Sequence, residues 1–292
     1  MKSLFMRRAL CVGAAAVACL GTFAPARVGA VTRHRQTYQR AATVRRAATT
    51  PRLNYYGGRI LTHVKVDVVV WNSWSYSSSV KLTGPKSISS FFSGITASSY
   101  LDWLTEYNTP TQKIGRGTLD GVYTVHPPAA DNGSVVTSAQ VADGLKSLIR
   151  AGVLPKPSTT RLYAVFFRSG EEVSTPFGNS IDDFCAYHDS FASGSSTVYL
   201  AVIPYEVANR GCKPSSTTFD NVTTIVSHEL VESITDPGVG INKVAWYDQA
   251  NGEIGDICAG ISKPATVVGG DGVRYMVQRE WSNSSRSCIV TR

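Results

Sequence analysis

The residues best suited to chemistry lie in one short segment, residues 227–232, with the sequence SHELVE. His228 and Glu232 are four positions apart, and an α-helix places such residues on one face, one turn apart. Imidazole nitrogens and carboxylate oxygens are both metal ligands. The spacing therefore predicts a helix that presents His228 and Glu232 to a single cation.

Glu229 directly follows the first of these residues. In the zinc-protease motif H-E-x-x-H, the glutamate at this position is the general base that activates a water molecule. Here Glu232 stands where that motif has its second histidine, and a carboxylate can also bind zinc. The segment therefore predicts zinc as the cofactor and Glu229 as the catalytic base of a hydrolase, most simply a peptidase.

A third ligand is expected from a later segment, residues 252–256, with the sequence GEIGD. Glu253 is the predicted ligand. Asp256 is either an alternative ligand or a hydrogen-bonding partner of His228, a role that supports metal-bound histidines in many proteins. His188 could also approach the site.

Two other interpretations of this cluster stay open. One is a metal-free structural network, in which His228 is hydrogen-bonded to Asp256 while Glu232 caps a loop. The other is a metal ion that stabilises the fold and has no catalytic role.

The surrounding sequence predicts the elements that must position these residues. Apolar residues recur at helical spacing over residues 220–235, and Asp236-Pro237-Gly238 ends that helix. Helices are also predicted over 138–151 and, broken or in two short pieces, over 87–107. Strands are predicted over 64–71, 119–125, 161–167, 196–203 and 274–281. This alternation predicts an α/β fold, with α+β possible, as one zincin-like domain with a central mixed sheet and an active-site helix.

The N-terminus has the three parts of a signal peptide. Lys2, Arg7 and Arg8 precede an uncharged, mostly apolar run over residues 9–23, and small residues follow. The alternative is a membrane anchor, but this run is shorter than the roughly 20 residues that span a bilayer. We expect residues 1–30 to be a cleaved signal peptide and the protein to be secreted or cell-wall-bound, with no transmembrane segment after cleavage.

The formal net charge of +8 comes from the N-terminal part of the chain. Residues 1–52 hold ten basic residues and no acidic one, whereas residues 53–292 hold 19 basic and 21 acidic residues. We expect residues 31–52 to be a basic, disordered linker or pro-segment and residues 53–292 to form the globular domain. A near-neutral domain gives no support to nucleic-acid binding.

Four cysteines remain once the leader with Cys11 and Cys19 is removed. An even number of cysteines in an oxidising compartment favours two disulfides. Three pairings are possible, and the favoured one closes two local loops, each of about 30 residues. Zinc binding by thiolates is the alternative, but the chain has no C-x-x-C pair. The favoured pairs are Cys185–Cys212 and Cys258–Cys288.

Several segments together resemble the phosphate-induced protein 1 (EXORDIUM-like) family, and its bacterial secreted relatives in particular. The resemblance covers roughly residues 53–292 and implies an extracellular or cell-wall protein, without implying a defined activity. The segments that carry it are residues 55–58 (YYGG), the strand ending at Trp71, 100–104, 184–188, 227–232, 245–247, 253–258, 277–278, Trp281 and Cys288.

The resulting hypothesis has a competitor of a different class. In the first, the protein hydrolyses a peptide or a cell-wall polymer with zinc held by His228, Glu232 and Glu253. In the second, it is a non-enzymatic extracellular protein that binds cell-wall glycan through exposed tryptophans. The five candidates are Trp71, Trp74, Trp103, Trp246 and Trp281. The sequence leaves the oligomeric state open.

Overall fold

A computed structural model describes residues 50–205, 211–238 and 243–292. The predicted signal peptide, residues 1–30, and most of the predicted linker lie outside these described residues. Within them, no helix combines the length and the apolar character needed to cross a bilayer.

The described residues contain helices and strands in alternation, which confirms an α/β character with a mixed sheet. The strands are β1 (Asn54–Tyr55), β2 (His63–Trp71), β3 (Gly115–Val125), β4 (Val135–Thr137), β5 (Arg161–Phe166), β6 (Glu172–Thr175), β7 (Gly178–Asn179), β8 (Tyr187–Ser193), β9 (Ser196–Ile203), β10 (Trp246–Tyr247), β11 (Ala265–Val268), β12 (Arg274–Val277), β13 (Glu280–Ser282) and β14 (Ser287–Ile289). The α-helices are α1 (Ile88–Thr96), α2 (Ser99–Asp102), α3 (Ser138–Arg150) and α4 (Thr218–Thr235), and 3₁₀-helices span Trp103–Tyr107 and Ala129–Asp131.

The central sheet has five strands in the order β3-β2-β5-β9-β8. The first four are parallel, and β8 pairs with β9 in the antiparallel direction at one edge. β2 is buried from Val68 to Trp71 without interruption. A strand that reads as a continuous apolar run is typical of a parallel sheet covered on both faces.

Among the described residues, the two largest clusters of the hydrophobic core lie one on each face of this sheet. On one face, Val66 and Val68 of β2 belong to the same core as Val226 of α4. On the other face, Trp71 belongs to the same core as Val141 of α3. The sheet therefore separates the α4 layer from the α3 layer.

Helix α4 is almost entirely buried in the protein. It begins after Thr217, whose side chain accepts a hydrogen bond from the Asp220 amide, and it ends at Asp236, just before a proline. The sequence predicts its position within two residues. It does not predict that 16 of its 18 residues are buried, polar ones included. The polar side chains of α4 therefore point into the protein, whatever face they occupy.

The C-terminal residues form short antiparallel pairs beside α4. β11 pairs with β12, β13 with β14, and β10 with the N-terminal β1. The strand predicted over residues 274–281 is in fact divided between β12 and β13 by Gln278 and Arg279. This division matters because it directs the Gln278 side chain toward α4, as described below.

Two disulfides join the four cysteines of the domain. They are Cys185–Cys212 and Cys258–Cys288, which confirms the favoured pairing. The first lies just before β8, and the second links the segment after residue 252 to β14.

The fold includes residues slightly before the predicted domain start. The Arg52 amide donates to Asp248 Oδ2 at 2.6 Å, the Leu53 amide donates to Asn283 Oδ1 at 2.9 Å, and Leu53 is buried. The end of the predicted linker is therefore attached to the domain.

Candidate metal centre

Helix α4 and the edge strand β8 place four ionisable side chains together. His188 Nδ1 lies 3.3 Å from Glu229 Oε2 and 3.5 Å from Glu232 Oε2. His228 Nε2 lies 3.0 Å from the same Glu232 oxygen. The structure thus brings His228 and Glu232 together as the helical spacing predicts, and adds His188 from the sheet.

The second oxygen of Glu232 is held by the segment after β10. Glu232 Oε1 accepts hydrogen bonds from the Gly255 amide at 3.2 Å and the Asp256 amide at 3.1 Å. The carboxylate is therefore fixed in orientation, with Oε2 directed at the two imidazoles.

Among the described residues, two groups of donor atoms could hold a metal ion. We call His228, Glu232 and Asp256 the helix site, and His188, Glu229 and Glu232 the strand site. Within each group the donor atoms lie within 4.8 Å of one another.

The predicted third ligand, Glu253, belongs to neither group. Its Oε1 lies 3.4 Å from His188 Nε2, on the side of the ring away from Glu229 and Glu232. Asp256, the predicted alternative ligand, completes the helix site instead, and its Oδ2 accepts a hydrogen bond from the Glu253 amide at 3.2 Å. The role of Glu253 as a ligand stays a prediction.

The spacing of the donors fits a small transition-metal ion. A tetrahedral zinc ion with bonds of about 2.0–2.2 Å holds its ligand atoms roughly 3.3–3.6 Å apart. The distances from Glu232 Oε2 to the two imidazole nitrogens, 3.0 Å and 3.5 Å, are close to this range.

The excess of acidic side chains over imidazoles in this region also favours a bound cation. Five buried carboxyl groups surround two buried imidazoles, and Asp256 adds a sixth, partly buried one. Buried carboxylates are costly unless they are paired or bound to a metal. The buried carboxyl groups are Glu229, Glu232, Asp236, Glu253 and Glu280.

Burial and the closeness of the carboxyl groups to one another raise the pKa values of these acidic groups. Burial, together with nearby carboxylates, raises the pKa of Glu232 and of Asp236 well above their ordinary values, although His228 and His188 oppose the shift. Burial likewise raises the pKa of Asp256 to about 7 and the pKa of Glu280 to about 7. Without a cation, these groups retain protons that they would lose in water.

The pKa values of the two histidines are raised as well, but by the neighbouring carboxylates and against the effect of burial. Burial alone would lower the pKa of His188, but the charges of Glu253, Glu229 and Glu232 outweigh it and hold that pKa well above 6.5. For His228, burial is outweighed in the same way by Glu232, Glu229 and Glu280. Both rings therefore sit where a positive charge, a proton or a metal ion, is stabilised.

Gln278 contacts the nitrogen of the His228 imidazole that faces away from Glu232. Gln278 Nε2 lies 2.8 Å from His228 Nδ1 and donates to the Gly255 carbonyl at 2.9 Å. In this orientation Nδ1 accepts a hydrogen bond, so the neutral ring carries its proton on Nε2 and donates it to Glu232. Gln278 Oε1 is buried and has no hydrogen-bond partner in the part of the chain that the structure describes. Binding a metal through Nε2 would move the proton to Nδ1, where Gln278 Oε1 could accept it after rotation of the amide.

Gly255 is required for this packing. A Cβ atom at this position would lie 2.5 Å from His228 Nδ1 and 2.9 Å from Glu232 Oε1. Any larger residue would therefore collide with two side chains of the helix site, His228 and Glu232.

The centre is enclosed. His188, His228, Glu229, Glu232 and Glu253 are each no more than 2 % exposed, and Asp256 is the most accessible of the six. The cluster is therefore closest to solvent on the Asp256 side.

Sequence reasoning missed three groups that contact the centre. Asp236 lies four residues beyond Glu232, so the helical spacing that selects His228 and Glu232 could also have selected it. Its carbonyl oxygen lies 3.2 Å from His188 Nε2, and its Oδ1 accepts a hydrogen bond from the Ala245 amide at 2.8 Å. Gln278 lies between β12 and β13 and Glu280 begins β13, both far along the chain from α4, and local spacing gives no sign of their proximity.

Comparisons with protein-family models, curated proteins and solved structures found no match to this chain.

Proposed function

We propose that this protein is a secreted, zinc-dependent hydrolase with a zincin-like domain, and that peptides are its most suitable substrates. The observation that carries the proposal is the helix site: His228 and Glu232 lie one turn apart on buried α4, with 3.0 Å between Nε2 and Oε2, and Asp256 lies beside them.

Zinc suits this donor set better than calcium or magnesium does. Calcium and magnesium favour shells of oxygen ligands, whereas imidazole combined with carboxylate favours zinc and its transition-metal neighbours. The helix site has one imidazole and two carboxylates. Three protein ligands leave a fourth position for water or substrate, as in catalytic zinc sites.

In the proposed hydrolysis, the zinc ion, Glu229 and His188 have separate roles. Zinc, when bound, supplies Lewis acidity toward a carbonyl oxygen and lowers the pKa of water. Glu229 accepts the proton of the attacking water and returns it to the leaving amine, because one carboxyl group can act as base and then as acid. His188, 3.3 Å from Glu229, orients that carboxylate.

The secreted location is supported by two features. The chain has a leader-like N-terminus in its sequence, and both disulfides form within the domain. Disulfides persist in oxidising compartments outside the cytoplasm. Extracellular peptides and peptide-containing cell-wall polymers are the substrates such an enzyme would meet.

The burial of the centre favours a second candidate, a metal ion that only stabilises the fold. Structural zinc ions contribute directly to folding free energy and need no route for substrate. By contrast, glycan binding through exposed tryptophans has little support. Trp71, Trp103 and Trp281 are buried, and the other two are partly buried.

Metal content and hydrolysis, measured on the same purified protein, test the proposal. We expect bound zinc in the wild-type protein and cleavage of unstructured peptides that stops on chelation and returns with zinc. His228→Ala should lose both. Glu229→Gln, supplied with one equivalent of zinc, should retain the ion and lose on the order of 100-fold or more in rate, as for removal of a general base.

His126→Ala is the matched control, because His126 is exposed on the surface. It should retain zinc and activity. A folded wild-type protein that binds no zinc would rule out the proposal. Bound zinc with no hydrolysis, combined with a loss of stability on chelation, would assign the ion a structural role.

A further inference from the structure

The strand site is distinct from the helix site although the two share a residue. Glu232 is the residue common to both groups, and each group has an imidazole of its own. Ligand atoms on one ion with bonds of about 2.0–2.2 Å are at most about 4.4 Å apart. The donor nitrogens of His188 and His228 do not fall together in either group, whose donor atoms lie within 4.8 Å of one another, so an ion at the centre of one group does not bind the imidazole of the other.

The surroundings of His188 point to a cation in the strand site. His188 Nε2 lies 3.2 Å from the Asp236 carbonyl oxygen, which can only accept, so Nε2 carries a proton. The other nitrogen, Nδ1, faces carboxylate oxygens of Glu229 and Glu232 at 3.3 Å and 3.5 Å. The two carboxylates at Nδ1 favour a positive charge there, and a metal ion bound between these three atoms would supply that charge in place of a proton on Nδ1.

A histidine that donates from one nitrogen to a backbone carbonyl is also arranged as a metal ligand should be. Such a bond fixes the tautomer and directs the other nitrogen's lone pair at the metal. For His188, the Asp236 carbonyl has this supporting role and Nδ1 is the donor atom. His188 is only 2 % exposed, so bulk water does not solvate this arrangement.

The excess of negative charge from the buried carboxyl groups also favours a second cation. One divalent ion in the helix site would still leave the five buried carboxyl groups and Asp256 with excess negative charge. A second divalent ion next to Glu229 would reduce that excess. Glu232 Oε2, which lies near both imidazoles, is placed to bridge two ions in the way of two-metal sites with about 3.5–4 Å between the metals.

We propose that the strand site binds a second zinc ion, bridged to the first by Glu232, and that this second ion inhibits hydrolysis. The proposal rests on the proposed function, because it takes the helix site as the catalytic one. Inhibition follows because Glu229, once it is a ligand of the second ion, can no longer accept the proton of the attacking water.

Zinc stoichiometry tests this directly. Equilibrium dialysis of the full folded chain against zinc should give two equivalents for the wild-type protein and for the His126→Ala control. His188→Ala should give one equivalent. Glu229→Gln, a nearly isosteric change, should also give one, and it serves as the second variant if His188→Ala fails to fold.

Two further readouts distinguish a bridged pair from unrelated binding. With manganese in place of zinc, the doubly loaded protein should show a spin-coupled electron paramagnetic resonance spectrum that His188→Ala lacks. With zinc, activity should rise with the first equivalent and fall with the second, on the order of 100-fold, since the general base is removed.

The outcomes separate this inference from the proposed function. A single equivalent in the wild-type protein overturns the second site and leaves the hydrolase proposal intact. No bound zinc overturns both. Two equivalents that persist in His188→Ala and in Glu229→Gln show that the second ion binds elsewhere.

Discussion

Glu232 organises the candidate centre at the scale of single residues. One of its oxygens is held by two backbone amides, and the other faces two imidazoles. A side chain fixed in this way is preorganised for metal binding, because its orientation costs little further entropy. Its backbone partners depend in turn on the absence of a side chain at Gly255.

We predict that Gly255→Ala greatly weakens zinc binding. Its Cβ would lie 2.5 Å from His228 Nδ1, so the imidazole must shift, and the unfolding free energy should fall by about 1–3 kcal/mol, as for overpacked interiors. Isothermal titration with zinc and urea unfolding measure the two effects.

Gly144→Ala is the matched control for overpacking. Its Cβ would lie 2.6 Å from the Trp71 ring, in the core on the α3 side of the sheet. Any loss of stability there should leave zinc affinity unchanged. Equal zinc affinity in Gly255→Ala and the wild type would show that Gly255 does not set the geometry of the site.

Sequence reasoning succeeds for residues whose proximity is local. His228 and Glu232 share a face because a helix repeats every 3.6 residues, and no tertiary information is needed. The choice between Glu253 and Asp256 depends on a turn in which Gly252 has φ +92° and the amides of residues 255 and 256 point at Glu232. Spacing alone does not fix such a turn.

At the scale of elements, the strongly apolar segments were predictable and the polar edge strand was not. β2, β5 and β9 follow the predicted strands closely, because their continuous apolar runs indicate burial on both faces. β8 contains His188, Asp189 and serines, so its sequence does not alternate as a half-buried strand would. Its pairing with β9 is what brings His188 to the centre.

The element that follows β10 is the one most dependent on a disulfide. Cys258 lies two residues after Asp256 and is bonded to Cys288 of β14. We predict that Cys258→Ala combined with Cys288→Ala lowers the unfolding free energy by about 3 kcal/mol, as for loops of this length. Zinc affinity of the helix site should fall as well, because the amides that hold Glu232 belong to this segment.

Cys185→Ala combined with Cys212→Ala provides the comparison. This disulfide closes a loop of similar length, with a sequence separation of 27 against 30, but it lies beside β8 and not beside the helix site. Denaturant unfolding and zinc titration of both double variants decide the matter. Similar helix-site affinities in the two would contradict a specific role for Cys258–Cys288.

At the scale of the whole molecule, basic residues dominate the N-terminal part of the chain and acidic groups collect in the interior of the domain. The basic residues of the first 52 positions give the chain its net positive charge, while acidic groups collect around α4. Composition reveals the first feature and hides the second, since the domain as a whole is nearly neutral. Only the fold shows that the acidic groups form a single buried cluster.

This cluster should give the metal-free protein an unusual dependence of stability on pH. Glu280 and Asp256 keep their protons up to about pH 7 in the folded state but lose them near pH 4 when unfolded. Stability from these groups is therefore lost as the pH rises from about 4 to about 7. His188 and His228, with pKa values raised above 6.5, contribute stability that is lost at still higher pH.

We accordingly predict that, in the presence of a chelator, the unfolding free energy falls between about pH 5 and about pH 7.5. With saturating zinc the trend should weaken or reverse, because the metal replaces the protons and binds more tightly as they leave. Urea unfolding at the two pH values, with chelator or with zinc, measures all four free energies.

Glu280→Gln removes one buried acid that belongs to neither metal group. It should therefore reduce the dependence of the unfolding free energy on pH in chelator while preserving the stabilisation by zinc. Parallel pH profiles with and without zinc would show that the buried acids and the metal do not share a site.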